Sequence, residues 1–136
     1  MRVLFDTNVL VAAFVTHSVC EELLIEANKA YDLFLCPVVL EEFERVMRTK
    51  LSMPRKLVEE AKNLILEVSS IVEVSAKVEG ACSDPDDDAI LACAVSAGVD
   101  YLVTGDKDLL VMQSFRGVRI VTPREFASIL WAGGGA

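Results

Sequence analysis

Acidic side chains follow the short apolar runs of this sequence. Asp6 comes directly after the run Arg2–Phe5, and Asp106 closely follows the run Tyr101–Thr104. Glu42 lies about one and a half turns into a helix predicted after another apolar run. Carboxylates that collect without histidine or cysteine are typical ligands of a hard divalent ion, Mg²⁺ or Mn²⁺. Because such an ion binds phosphate oxygens, the pattern predicts phosphoester chemistry.

A further acidic group is the run D-P-D-D-D at residues 84–88, where a helix is predicted to begin. Acidic residues in a first helical turn bind free N–H groups and complement the helix dipole. Four carboxylates in five residues also repel one another, which favours a bound cation. Asp87 shares a helical face with Leu91 and Ala94, which directs it toward the end of the sheet. The second choices are Asp84, Asp86 and Asp88.

Five apolar runs predict strands, and helical patterns separate them. The predicted strands are Arg2–Phe5, Leu33–Cys36, Ile71–Val74, Tyr101–Thr104 and Val118–Val121. This alternation predicts an α/β sandwich in which helices flank a central, mostly parallel, five-stranded sheet. In such sheets ligands bind beyond the carboxyl ends of the strands, which is where these acidic residues stand.

Capping residues set the predicted ends of the helices. Ser18 with Glu21 predicts a capping box, and Gly98 ends the helix that begins at Asp86. The last helix is predicted over residues 124 to about 131. Two central helices carry apolar stripes, predicted to be Leu40, Phe43 and Met47 in the first and Leu57, Ala61, Leu64, Ile65 and Val68 in the second.

Composition limits the classes of function that fit this chain. The 136 residues include 13 Lys and Arg against 21 Asp and Glu, a net charge of -8, which excludes a nucleic-acid binder with a uniformly basic surface. With 53% hydrophobic residues, one folded domain over residues 1–136 is predicted, with a frayed tail at about 132–136. We expect no membrane segment and a cytoplasmic location, with free thiols rather than zinc at the four scattered cysteines.

Four motifs occur in order along nearly the whole chain: D-T-N-V-L at 6–10, C-P-V-V-L-E-E-F at 36–43, D-P-D-D-D-A-I-L at 84–91 and V-T-G-D-K-D-L-L at 103–110. Together they resemble the PIN domain family, in particular its small stand-alone prokaryotic members similar to VapC, the toxins of toxin–antitoxin systems. The resemblance implies a three-layer sandwich with strand order 3-2-1-4-5. It also implies a ribonuclease that uses Mg²⁺ or Mn²⁺, an RNA substrate, a cognate antitoxin and a homodimer.

The resemblance also implies roles for individual residues. Asn8 and Thr104 match polar residues expected to order the carboxylates. Cys36 stands where relatives often have serine, which weakens a hydrogen bond expected there. The third acidic ligand is either Asp87 or Asp88, and Asp84 is a candidate additional ligand. The acidic set implied as catalytic and metal-binding is Asp6, Glu42, Asp87 and Asp106.

A basic stretch follows Glu42, because residues 45–62 carry six basic and two acidic side chains. Such a run is most often a solvated surface, and the alternative here is an attraction for the RNA backbone. The candidates for that contact are Arg45, Arg48, Lys50, Arg55 and Lys56.

Two other functions gather aspartates at strand ends. A haloacid-dehalogenase-type phosphatase would use Asp6 as nucleophile, but Asn8 stands where its general acid is needed. A receiver-like signalling module, with Thr104 as its switch residue, needs an acceptor carboxylate after the third strand, where Ser75 and Ala76 stand instead.

The acidic excess is local. Eight carboxylates belong to the proposed site and its neighbours, and without them 13 acidic residues balance 13 basic ones. Asp108, one of the eight, is expected to cap a short turn before Leu109 rather than to bind metal. The eight are Asp6, Glu42, Asp84, Asp86, Asp87, Asp88, Asp106 and Asp108.

Overall fold

The computed structural model describes residues 1–16 and 19–134, so the capping residue predicted at Ser18 lies outside the described residues. The helices are α1 Thr7–Val15, α2 Val19–Ala30, α3 Pro37–Arg45, α4 Arg55–Val68, α5 Pro85–Ala97, α6 Lys107–Leu110 and α7 Pro123–Gly134. A π-helical turn, Val46–Lys50, continues α3. The strands are β1 Arg2–Phe5, β2 Asp32–Leu35, β3 Ser70–Ile71, β4 Tyr101–Val103, β5 Ser114–Phe115 and β6 Val118–Val121.

The strands form one sheet in the order β3-β2-β1-β4-β6-β5. All neighbouring strands are parallel except β5 and β6. At the centre, Leu4 of β1 lies opposite Phe34 of β2 and Leu102 of β4. The predicted α/β architecture and the order of the five predicted strands are therefore confirmed, with β6 in the fifth position.

The sheet has six strands rather than five, and the additional one is β5. It pairs antiparallel with β6, so that Phe115 lies opposite Val118. Between the two strands, Arg116 and Gly117 have φ angles of 47° and 87°. Two consecutive left-handed residues form the tight turn of a two-residue hairpin, which adds this short edge strand.

Two predicted strands are displaced along the chain. β2 ends at Leu35, because Cys36 already serves as the N-cap of α3. β3 ends at Ile71 rather than Val74. The Val72 N–H still donates to the Leu35 carbonyl, but farther along the chain the N–H groups of Ser75 and Ala76 both donate to the Ser96 hydroxyl of α5 at 2.9 Å.

The predicted apolar stripes are buried in part: Phe43, Met47, Ala61 and Ile65 are buried as predicted, whereas other members of the stripes are not. In α4, Val58 is fully buried, whereas Leu57 and Leu64 are 46% and 47% exposed. The sequence offers apolar residues on both sides of this helix, so periodicity alone does not select the face that packs. In α3, Val39 is buried where Leu40 was predicted, and Leu40 is half-buried.

A cluster of aromatic rings packs one side of the sheet against α7. Phe126 is fully buried and lies edge-on to Phe5 and Tyr31, with centroid distances of 6.0 and 5.4 Å. Tyr101 is tilted against the same ring at 5.8 Å. Edge-to-face contacts of this kind stabilise a core beyond the area they bury.

The helix ends follow the capping residues where these are described. Gly98 adopts a φ of 61° and ends α5, as predicted. Thr122 and Glu125 exchange hydrogen bonds at the start of α7. α7 continues to Gly134, beyond its predicted end, and residues 135–136 of the predicted tail lie outside the described residues.

No single described helix is long and apolar enough to cross a membrane. α1 and α2 would reach the required length and composition only together, and they bend by 107° at the break between them.

Replacement of Phe126 tests the aromatic cluster. Phe126→Ala removes a fully buried ring with three aromatic neighbours. We expect urea unfolding to show a loss of about 3 to 5 kcal/mol. Trp131→Ala on the same helix is the control: this side chain is 50% exposed, and its loss should cost less than about 1 kcal/mol. Equal losses from the two variants would contradict this packing.

Candidate active site

The parallel pairing of β1 with β4 brings their carboxyl ends together. The Asp6 N–H donates to the Val103 carbonyl at 2.9 Å, which continues the ladder beyond β1. The Asp6 carboxylate accepts two hydrogen bonds of 2.7 Å, one from the Thr7 N–H and one from the Thr104 hydroxyl. Asp6 is therefore held in one orientation, and each of its oxygens keeps a further lone pair for a ligand.

Beyond these strand ends lies a cavity of about 140 Å³. Its lining is predominantly acidic and includes the whole set of four carboxylates that the sequence predicts. Glu42 reaches it from α3 and is half-buried, which agrees with its predicted place at the edge of the buried face. The lining residues are Asp6, Thr7, Asn8, Glu42, Asp84, Asp86, Asp87, Ile90 and Asp106.

Three of the lining carboxylates are also N-caps of helices. Asp6 caps α1, Asp84 caps α5 by accepting from the Asp86 N–H, and Asp106 caps α6 by accepting from the Asp108 N–H. The free N–H groups at a helix start stabilise negative charge. The cavity thus gathers carboxylates where backbone dipoles offset part of their repulsion.

Asn8 and Thr104 connect the segments around the cavity, and Thr104 contacts a carboxylate directly. The Thr104 hydroxyl donates to Asp6 and accepts from the Asp106 N–H at 3.0 Å, so one side chain joins two acidic residues. Asn8 accepts from the Gly105 N–H at 3.2 Å, which ties α1 to the loop after β4.

Asp87 and Asp88 have different surroundings although both are buried. Asp87 lines the cavity and shares a hydrogen bond with Asp106. The two oxygens of Asp88 instead accept from the backbone N–H groups of Gly80 and Cys82, at 3.0 and 2.8 Å. The geometry favours Asp87 as the third acidic ligand and gives Asp88 a structural role in holding the preceding loop.

Asp108 differs from its expected role. The N-cap of α6 is Asp106, and Asp108 stands in the first turn of that helix. One oxygen from each of Asp87, Asp106 and Asp108 lies within 4.8 Å of the others, a spacing that could hold a metal ion. The sequence carries no periodic signal for this grouping, because the helix is only four residues long.

Burial among like charges raises the pKa of three carboxyl groups. For Asp6 and Glu42 the main cause is burial, which outweighs the two hydrogen bonds to Asp6 and the nearby Arg45 beside Glu42. The pKa of Asp87 rises to about 7, through burial and then through the charge of Asp106 and the hydrogen bond with it. Asp87 therefore exchanges a proton near neutral pH.

The residues around the cavity fit a divalent cation. The carboxylates provide hard oxygen donors, which Mg²⁺ and Mn²⁺ prefer. A cation would also offset the like charges that raise the pKa of Asp87. In addition, the hydroxyl of Thr7 is buried without a hydrogen-bond partner, which is unusual for a buried polar group.

The basic residues that follow Glu42 differ in their surroundings. Arg45 and Arg48 line a groove of about 270 Å³ together with Glu41 and Glu44. Arg48 is 3.8 Å from Glu44. The remaining candidates, which are exposed, are Lys50, Arg55 and Lys56.

Known proteins share this fold. A family model described as PIN domain matches residues 2–108. VapBC2 from Rickettsia felis, crystallised with a DNA fragment from its promoter, superposes with a TM-score of 0.66 and 16% identity over 90% of this chain and 98% of that one. PAE2754 from Pyrobaculum aerophilum has a TM-score of 0.68 and 16% identity, over 97% and 90% of the two chains. No curated protein matches the sequence.

Substitutions of the neighbouring residues Asp87 and Asp88 distinguish a metal ligand from a residue that stabilises the preceding loop. Asp88→Asn removes a carboxylate that accepts two backbone hydrogen bonds, so we expect a stability loss of about 1 to 3 kcal/mol with little change in Mn²⁺ affinity. Asp87→Asn should lower Mn²⁺ affinity by about tenfold or more without that loss. Calorimetric titration and urea unfolding measure both, and the reverse pattern would assign the ligand role to Asp88.

The raised pKa of Asp87 predicts how stability depends on pH in EDTA. Between about pH 4, the value for an unfolded chain, and about pH 7, the folded protein retains a proton that the unfolded chain has released. The free energy of unfolding should therefore fall as pH rises through this window. Asp87→Asn should flatten this decline. If urea unfolding from pH 5 to 8 shows the same pH dependence in Asp87→Asn as in wild type, Asp87 is not the group responsible.

Proposed function

The chain belongs to the PIN domain family, and from this premise we propose that it is a Mg²⁺- or Mn²⁺-dependent endoribonuclease, the toxin component of a toxin–antitoxin system. The observation that carries the proposal is the meeting of Asp6, Glu42, Asp87 and Asp106 around one cavity at the strand ends. This arrangement suits metal-assisted hydrolysis of a phosphodiester.

The residues of the chain have distinct roles in the proposed reaction. A divalent cation bound by the carboxylates would supply an activated water and offset charge on the phosphate. Asp6 is fixed by Thr7 and Thr104 and would act as the rigid ligand. Asp87, with its pKa of about 7, would release its proton when the cation binds. In-line attack of water would leave a 5′-phosphate and a 3′-hydroxyl.

The distribution of charge supports an RNA substrate that contacts the basic residues following Glu42. The chain is acidic overall, but the acidic excess is concentrated around the cavity, where cations would offset it. Arg45 lies close enough to Glu42 to offset part of the rise that burial causes in the pKa of that carboxyl group. We propose that this arginine and its exposed basic neighbours attract the RNA backbone, so RNA affinity should depend on divalent ions.

An antitoxin partner follows from the same proposal. One structural neighbour was solved as a VapBC2 complex on promoter DNA. We propose that this chain has a protein inhibitor that covers the acidic cavity, that it forms a homodimer, and that it acts in the cytoplasm. The receiver-like alternative gains no support, because the residue directly after β3 is the buried Val72.

RNA cleavage with and without metal tests the proposal. Wild-type protein should cleave single-stranded or structured RNA in Mg²⁺ or Mn²⁺, and EDTA should abolish cleavage. Asp6→Asn should lower the rate of cleavage by about 100-fold or more, because an amide at this position, which β1 and β4 hold in place, is a weaker metal ligand. Denaturing gels of end-labelled RNA, with ligation of the products, measure the rate and identify the 5′-phosphate.

A matched control uses a surface carboxylate. Glu26→Gln changes a residue that pairs with Lys29 on α2, outside the cavity lining, and should cleave like wild type. Cleavage that persists in EDTA, or that Asp6→Asn retains, would contradict the metal-dependent mechanism. Covalent labelling by acetyl phosphate would instead favour a receiver.

A further inference from the structure

Thr7, which lines the acidic cavity, carries a buried hydroxyl that has no hydrogen-bond partner among the described residues. Thr7 is the first residue of α1, it is 5% exposed and it lines the cavity. Its backbone N–H donates to Asp6, but its hydroxyl oxygen is buried without a hydrogen bond. A buried hydroxyl in that condition destabilises the fold, so native proteins rarely keep one without a reason.

Other threonine hydroxyls in the described chain have partners. Thr104 donates to Asp6 on the opposite side of the same carboxylate. Thr16 and Thr49 donate to backbone carbonyls one turn earlier, and Thr122 accepts from the Glu125 N–H. The hydroxyl without a partner therefore belongs to a residue that lines the cavity.

The composition of the cavity indicates what that hydroxyl can bind. The lining side chains are mostly carboxylates, which accept hydrogen bonds when ionised, so donors are scarce there. A hydroxyl both donates and accepts. It can therefore bond to a water molecule without adding charge or competing with the carboxylates for a cation.

We infer that Thr7 is a positioning residue of the active site. Its hydroxyl donates a hydrogen bond to a water molecule that enters the cavity with the divalent cation, while its N–H orients Asp6. Thr7 thus orders both a protein ligand and the solvent beside it. This inference rests on the proposed metal-dependent function, and it gives the residue after the first aspartate a role separate from those of Asn8 and Thr104.

The test compares stability without metal and affinity for metal in the same variants. Thr7→Val keeps the shape of the side chain and removes the orphaned hydroxyl. In EDTA its melting temperature should equal or exceed that of wild type, because no hydrogen bond within the protein is lost. Calorimetric titration with Mn²⁺ should show an affinity about tenfold lower, and Thr7→Ser should restore it to within about threefold of wild type.

Thr104→Val is the matched control for the same chemical change. It removes a hydroxyl that bonds to both Asp6 and Asp106, so its melting temperature in EDTA should fall. A fall for Thr7→Val as well would assign Thr7 a structural role and overturn the inference. Unchanged Mn²⁺ affinity in Thr7→Val would overturn it too.

Mn²⁺ binding and RNA cleavage together distinguish the role of Thr7 from the proposed ribonuclease activity. If wild-type protein binds Mn²⁺ but Thr7→Val binds it equally well, the role of Thr7 is wrong and the metal site stands. If wild-type protein does not bind Mn²⁺, both are wrong. If Mn²⁺ binding follows the expected pattern but RNA is not cleaved, Thr7 keeps its role and only the ribonuclease activity is overturned.

Discussion

The parallel pairing of β1 with β4 is the constraint on which the rest of the site depends. It sets the carboxyl ends of two central strands side by side, so the chain after each strand begins in the same place. The 2.7 Å hydrogen bond from Thr104 to Asp6 is the direct result. Through its second hydrogen bond, to the Asp106 N–H, Thr104 also sets the start of α6. Movement of either strand would separate the carboxylates that the cavity needs.

Carboxylates gathered in this way repel one another, and the fold offsets the repulsion with backbone. Asp6, Asp84 and Asp106 each begin a helix, so N–H groups surround the cavity. Burial, together with the repulsion that remains, raises the pKa of Asp87 to about 7. A site that retains a proton near neutral pH is prepared to exchange it for a cation, which is the physical basis for the proposed metal dependence.

The sequence predicts the parts of the site that lie next to regular elements. Asp6 and Asp106 follow buried strands, so their convergence could be inferred from parallel topology. α1 was not predicted, because its apolar residues surround the helix and leave no periodic face. The hairpin of β5 depends on left-handed backbone at Arg116, which residue type does not indicate. The missing partner of Thr7 is a property of packing and has no signal in the sequence.

Diffraction from crystals soaked in Mn²⁺ shows whether these carboxylates form one cation site. We expect an anomalous difference peak in the cavity, within ligand distance of Asp6, Asp87 or Asp106, that is absent from crystals of Asp6→Asn. A Mn²⁺ peak elsewhere on the protein, with none in the cavity, would overturn the proposed cation site.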